Sequence, residues 1–172
     1  MRNLIPSLPM AALLALLTQA AAAQSVPERK ILLPAADELT VANQQAEGRA
    51  LLLELIPTGE TLESWTRLVT LTNAPDLGAV PEDTALKEFA TRYAGACGGN
   101  SQETPLDIDQ KGMKGLRLDC SKAADTGKLE TVFVRMIDTG ADMAIVQVAF
   151  RGLAVPSDAQ WARDYLAGVK VE

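Results

Sequence analysis

From residue 81 to 97 the apolar positions Leu86, Phe89, Ala90, Tyr93 and Cys97 recur at i, i+3, i+4, i+7 and i+11, which places them along one stripe of a helix. Pro81 suits the first turn, Glu82 and Asp83 favour the positive end of the dipole, and Gly98-Gly99 end the run. Three extended runs follow a short polar segment: Lys114–Cys120, Leu129–Ile137 and Met143–Arg151. In the first, Leu116, Leu118 and Cys120 alternate with Arg117 and Asp119, so the period of two turns Cys120 toward the core, as the helical stripe does Cys97. Upstream, residues 49–56 form an apolar run ended by Pro57-Thr58-Gly59, and Trp65 to Thr72 has the aromatic and β-branched content of a strand. Ser157 with Gln160 reads as a capping box that opens a last helix carrying Trp161, Tyr165, Leu166 and Val169. Residues 24–36 lack periodicity and contain Pro27 and Pro34, the pattern of a loose arm.

Strands joined by turns of a few residues can only be antiparallel neighbours. The expected fold is therefore α+β: an antiparallel sheet of about five to seven strands with two main helices packed on it. One such domain is expected over residues 37–172, after the arm at 24–36.

The first 23 residues read differently. Met1-Arg2-Asn3 gives a short basic start, Met10 to Leu17 is an uninterrupted apolar stretch, and Ala21-Ala22-Ala23 precedes Gln24. That order is a cleavable export signal, with cleavage expected between Ala23 and Gln24. The apolar stretch falls short of the roughly 20 residues a membrane span requires. Export makes the protein periplasmic or secreted, and two cysteines in an oxidising compartment predict a Cys97–Cys120 disulfide. Closing a loop of that length stabilises by at most about 3.4 kcal/mol on chain-entropy grounds.

Removing the signal moves the net charge from −6 to −7. With no basic run, nucleic acid and anionic membrane are poor partners. The 172 residues contain no His, which removes the commonest general base and metal ligand. Asp138-Thr139-Gly140-Ala141 resembles the active-site signature of retropepsin-like aspartic proteases, in which two such Asp share a proton. Only 32 residues follow Gly140, however, and the other Asp-Thr-Gly, at 125–127, is 13 residues earlier, too close for a second lobe. Hairpin turns account for both copies, since Asp accepts local backbone hydrogen bonds and Gly takes positive φ. Asp107-Ile108-Asp109 with Gly112 resembles the opening of an EF-hand loop, but Lys111 and Leu118 occupy positions that require oxygen ligands. Gly95 to Gly99 follows a helix instead of preceding one, so it is a C-cap and not a phosphate loop. No metal or cofactor signature is left.

Arg67, Arg117, Arg135 and Arg151 lie within or at the ends of strands. Gathered on one sheet face, they could hold an anionic ligand or acidic partner; otherwise they pair with acids such as Glu54, Asp119 and Glu130 across strands.

The stretch from Leu55 to Thr72, LIPTGETLESWTRLVTLT, resembles a pattern in small exported bacterial proteins: Pro-x-Gly-Glu, then Trp-Thr/Ser-x-Leu/Met-Val-Thr. The element order resembles the Mog1/PsbP-like fold, whose members act mainly in assembly or docking, and this implies an accessory role. The functional expectation is a non-enzymatic accessory or binding protein, its partner an envelope protein or a small ligand. Its contact surface is expected at Asn73–Pro81 together with Gly98–Thr104, two loops bordering the clearest helix. The alternatives are a carrier of a small apolar or anionic ligand held between sheet and helix, and a hydrolase using Asp107, Asp109 or Asp138.

Overall fold

The computed structural model describes residues 29–109, 112–122, 127 and 129–172. The export signal with its Ala23–Gln24 junction, and Lys111, Asp125 and Thr126 of the motifs above, lie outside the described residues. The elements are β1 (Ile31–Leu32), β2 (Leu39–Glu47), β3 (Ala50–Pro57), β4 (Arg67–Ala74), α1 (Glu82–Ala96), β5 (Ser101–Asp107), β6 (Lys114–Cys120), β7 (Glu130–Asp138), β8 (Met143–Arg151), α2 (Pro156–Gly168) and β9 (Lys170–Val171). Strands β2 to β8 form one antiparallel sheet in the order β2-β3-β4-β8-β7-β6-β5. The fold is α+β.

Alternation decides which helix each residue meets. On one face Val69, Leu71, Phe133, Val146, Val148 and Phe150 pack with Ala159, Ala162, Tyr165 and Leu166 of α2. On the other, Leu116, Leu118, Val132, Val134 and Met136 pack with Leu86 and Ala90 of α1. The predicted stripe of α1 is the buried one at Leu86, Ala90 and Cys97, whereas Phe89 and Tyr93 are half-buried along its flank. Gly98 and Gly99 both have positive φ, and the Gly99 N–H donates to Ala94 O at 2.8 Å, the C-cap that the sequence implies. Cys97 and Cys120 are joined by a disulfide, Cα to Cα 5.7 Å, which fastens the end of α1 to β6.

Several expectations need correction. The arm at 24–36 is not loose over its described part: β1 pairs antiparallel with β9, and Lys30 and Glu172 exchange N–H···O bonds of 2.7 and 3.0 Å. Its apolar residues Ile31 and Leu33 pack against the α2 core, and that burial opposes the freedom its two prolines suggest. The polar stretches 39–47 and 101–107 are strands at the two edges of the sheet. Their exposed sides carry polar residues, so the apolar alternation is muted. The last helix starts at Pro156, in the first-turn position, and Asp158 Oδ2 accepts the Val155 N–H at 3.1 Å; the Ser157/Gln160 box is not the cap. Strand β4 begins two residues after Trp65, and the Pro-Thr-Gly-Glu segment acts there. Glu60 accepts the Thr66 N–H at 2.6 Å and the Thr66 hydroxyl at 2.7 Å, and Trp65 is driven into the core at 7% exposure.

Candidate functional site

Register places Arg67, Arg117 and Arg135 on the α2 face and Arg151 on the α1 face. Three share a face, yet each is committed to the fold. The Arg67 guanidinium lies 3.9 Å from the Trp161 ring centroid and 3.4 Å from Glu38 Oε1. Arg117 forks onto Asp119 of its own strand at 2.9 Å and stacks over Phe133. Arg135 donates to Leu166 O and Val169 O at the end of α2, at 2.8 and 3.3 Å, where a cation complements the helix dipole. Burial lowers its pKa, against the raising influence of Glu82 and Asp109. Arg151 sits over the Trp65 ring and donates to the carbonyls of Glu63 and Leu62. Of the expected acidic partners, Asp119 pairs with Arg117 within a strand instead of across strands, and Glu54 accepts from Asn43 at 2.7 Å.

Asp138 ends β7 and its Oδ1 accepts the Gly140 N–H at 2.7 Å, with Gly140 at φ 102°. Thr139 closes the loop by donating to Asp142 O from both its N–H and its hydroxyl. This is a hairpin turn. Asp109 Oδ1 accepts the Met113 N–H at 3.0 Å, which spends that carboxylate on the β5–β6 turn. Asp107 is the last residue of β5, opposite Lys114. Among the described residues no group of three His, Cys, Asp or Glu is placed to hold a metal ion.

The two expected contact loops do not form one surface. They flank opposite ends of α1, which at 15 residues is about 22 Å long. Ser101–Thr104 belongs to edge strand β5, and Asn73 and Ala74 end β4. The remainder of 73–81 is bolted to the β7–β8 turn through a network that the sequence did not reveal. Asp142, 3% exposed, accepts Arg49 Nη1 at 2.7 Å, Asn73 Nδ2 at 2.9 Å and the Asp76 N–H at 3.1 Å; Arg49 also pairs with Asp76. The Asn73 hydrogen bond, followed by that of Asp76 and the Arg49 charge, holds the Asp142 pKa below its ordinary value against the opposing effect of burial.

What does stand open is half of the α1 face. Helix α1 covers β5, β6 and β7, and among the described residues no helix covers the same face of β3, β4 and β8. Between them runs a groove of about 480 Å³. Its floor is two cross-strand rows. Glu54, Thr70 and Gln147 are direct register partners across β3, β4 and β8. Beside them Leu68, Ala149 and Val132 align across β4, β8 and β7. Tyr93 of α1 and Trp65 form its aromatic sides, and Glu130 lies at the end nearest Cys120. The Tyr93 hydroxyl reaches Glu130 Oε1 at 3.4 Å. Strand β8 is central in the sheet, where a covered face would carry an apolar residue in place of Gln147. Gln147, polar in the middle of a strand that is apolar from Met143 to Phe150 apart from it, and Thr70 opposite it, were the signal that sequence reading passed over.

No protein-family model matches the chain, and a search of curated proteins finds no relative. Among the described residues no helix is long and apolar enough to cross a membrane.

Proposed function

We propose that the chain is a non-catalytic accessory protein working outside the cytoplasm, and that it binds a small ligand in the groove between α1 and the open half of the sheet. The observation that carries this reading is the polar row Glu54–Thr70–Gln147 laid across central strands beside an apolar row, in a cleft of about 480 Å³. Small-molecule sites have this size and mixture, a mostly apolar cleft with a few placed polar groups. The floor is rigid, since every strand beneath it is paired on both sides. The three acids considered for hydrolysis lie in or beside turns and do not line the groove, which favours binding over turnover. The resemblance to the Mog1/PsbP-like fold points the same way, by analogy alone.

Amide NMR of the processed protein, screened against a mixed library of neutral, cationic and anionic compounds, tests the reading. Ligand-induced shifts should concentrate on Thr70, Gln147, Ala149 and Tyr93. Shifts scattered over the surface, or none, would overturn it. Export is tested separately by the intact mass of protein recovered from the periplasm or medium, which should begin at Gln24.

A further inference from the structure

We infer that the ligand of this groove is a small primary alkylamine, its ammonium set on the polar row Glu54–Thr70–Gln147 and its hydrocarbon laid over the apolar row beside it. This rests on the groove reading above and names its ligand class. The three polar residues are direct partners across β3, β4 and β8, so the outer two are two strand spacings apart, about 9.6 Å between Cα atoms. All three line the groove, and an ammonium above Thr70 is within reach of each. An ammonium has three N–H donors and no acceptor; the row offers it a carboxylate, a hydroxyl and an amide oxygen. Two residues along the strands, Leu68, Ala149 and Val132 form the apolar row, about 6.7 Å from the polar one, where a short hydrocarbon is taken out of water.

Among the described residues the side chains of Thr70 and Gln147 make no hydrogen bond. Glu54 accepts one, from Asn43 Nδ2 on Oε2 at 2.7 Å. That neutral donor orients the carboxylate without cancelling its charge, and Oε1 keeps its lone pairs for an ammonium. Strand β3 and its neighbour β2 carry no Lys or Arg. Arg67 of β4 lies on the opposite face of the sheet, over Trp161, and Arg151 of β8 is held over Trp65 by the carbonyls of Leu62 and Glu63. The groove's other carboxylate, Glu130, stands opposite Arg151 in the register and takes no part in the site. An anionic head would meet Glu54. A hydroxyl would be accepted, but without the gain of a charge-assisted bond, and a quaternary ammonium has no N–H to donate.

The test is calorimetric titration of the processed protein at fixed ionic strength with the 1-aminoalkanes from two to eight carbons, hexan-1-ol, hexanoate and hexyltrimethylammonium. Affinity for the amines should rise by up to about fourfold per CH₂ and level off once the apolar row is covered. Hexylamine should bind at least roughly tenfold more tightly than hexan-1-ol or hexyltrimethylammonium, and hexanoate should not bind. Glu54→Gln, which can still accept from Asn43, should remove the advantage of hexylamine over hexan-1-ol and leave the alcohol's affinity unchanged. Thr70→Val and Gln147→Leu should each weaken hexylamine by about tenfold. Circular dichroism establishes that the variants fold. Hexan-1-ol binding as well as hexylamine would overturn the amine and leave the groove reading standing. Hexyltrimethylammonium binding as well would show attraction to negative charge alone and overturn the proposal, as would amine binding that Glu54→Gln leaves unchanged. If none of these compounds binds, the proposal falls; the groove reading falls with it only if no compound of the mixed library shifts Thr70, Gln147 and Ala149.

Discussion

A Cβ placed on Gly78 would fall 1.9 Å from the carbonyl oxygen of Gly140. The two backbones touch because the Gly78 N–H donates to Ala141 O at 3.1 Å, closing the loop after β4 onto the β7–β8 turn. Gly78→Ala must move backbone, not a flexible side chain, so it should cost about 3 kcal/mol, the upper end for overpacking. A urea melt checks the cost.

Asp142 is the anchor beneath that contact. Asp142→Asn retains the shape but leaves Arg49 without its buried carboxylate, and should destabilise by about 2–3 kcal/mol in the same measurement. The acid has a native pKa below its ordinary value. Its stabilisation is therefore present above that ordinary value and is lost as the pH falls through the native one. Stability should decline below about pH 4, and the part owed to this residue should vanish in the Asn variant.

Arg135 caps α2 from the neighbouring strand. Arg135→Met retains most of the aliphatic stem while losing both bonds to the last carbonyls of the helix. We expect a loss of about 1.5 kcal/mol. Amide exchange should quicken in the last turn of α2 more than in α1.

The Tyr165 hydroxyl is buried with no hydrogen-bond partner among the described residues. Burial, followed by the charge of Glu38, pushes its pKa up to about 12. Because the folded value is the higher one, the fold should lose stability as the pH rises from about 10 toward 12. Tyr165→Phe should abolish that alkaline loss and, at neutral pH, raise stability by about 1 kcal/mol. Destabilisation by Phe at neutral pH would mean that the hydroxyl has a partner in solution.

The disulfide ties α1 down at one end only. Replacing both Cys97 and Cys120 by Ser should cost at most about 3.4 kcal/mol. Loss of amide protection should be concentrated in residues 93–97, with the β7–β8 core unchanged.

The sequence made the centre of this molecule legible and its margins obscure. Leu116, Leu118 and Cys120 alternate cleanly because both faces of β6 have definite and different surroundings, and α1 shows its stripe because one side meets a core. β2 and β5 were obscure because an edge strand has little apolar surface to display. The β1–β9 pair was hidden for another reason: two residues on each side carry no period. Local chemistry read well where it was self-contained, as in the Asp138 turn, whose carboxylate serves an N–H two residues away. It failed where partners come from afar. Asp142 draws on Arg49 and Asn73, 93 and 69 residues distant, and no spacing announces that. The groove failed for the same reason: Glu54, Thr70 and Gln147 become one row only through strand register.

Lys30 and Glu172 clasp each other across nearly the whole described chain. During synthesis that handshake must wait until the last of these residues has left the ribosome, whereas the hairpins between can form as they emerge. Its formation thus follows theirs, and it holds side by side two residues that lie 142 positions apart in the sequence.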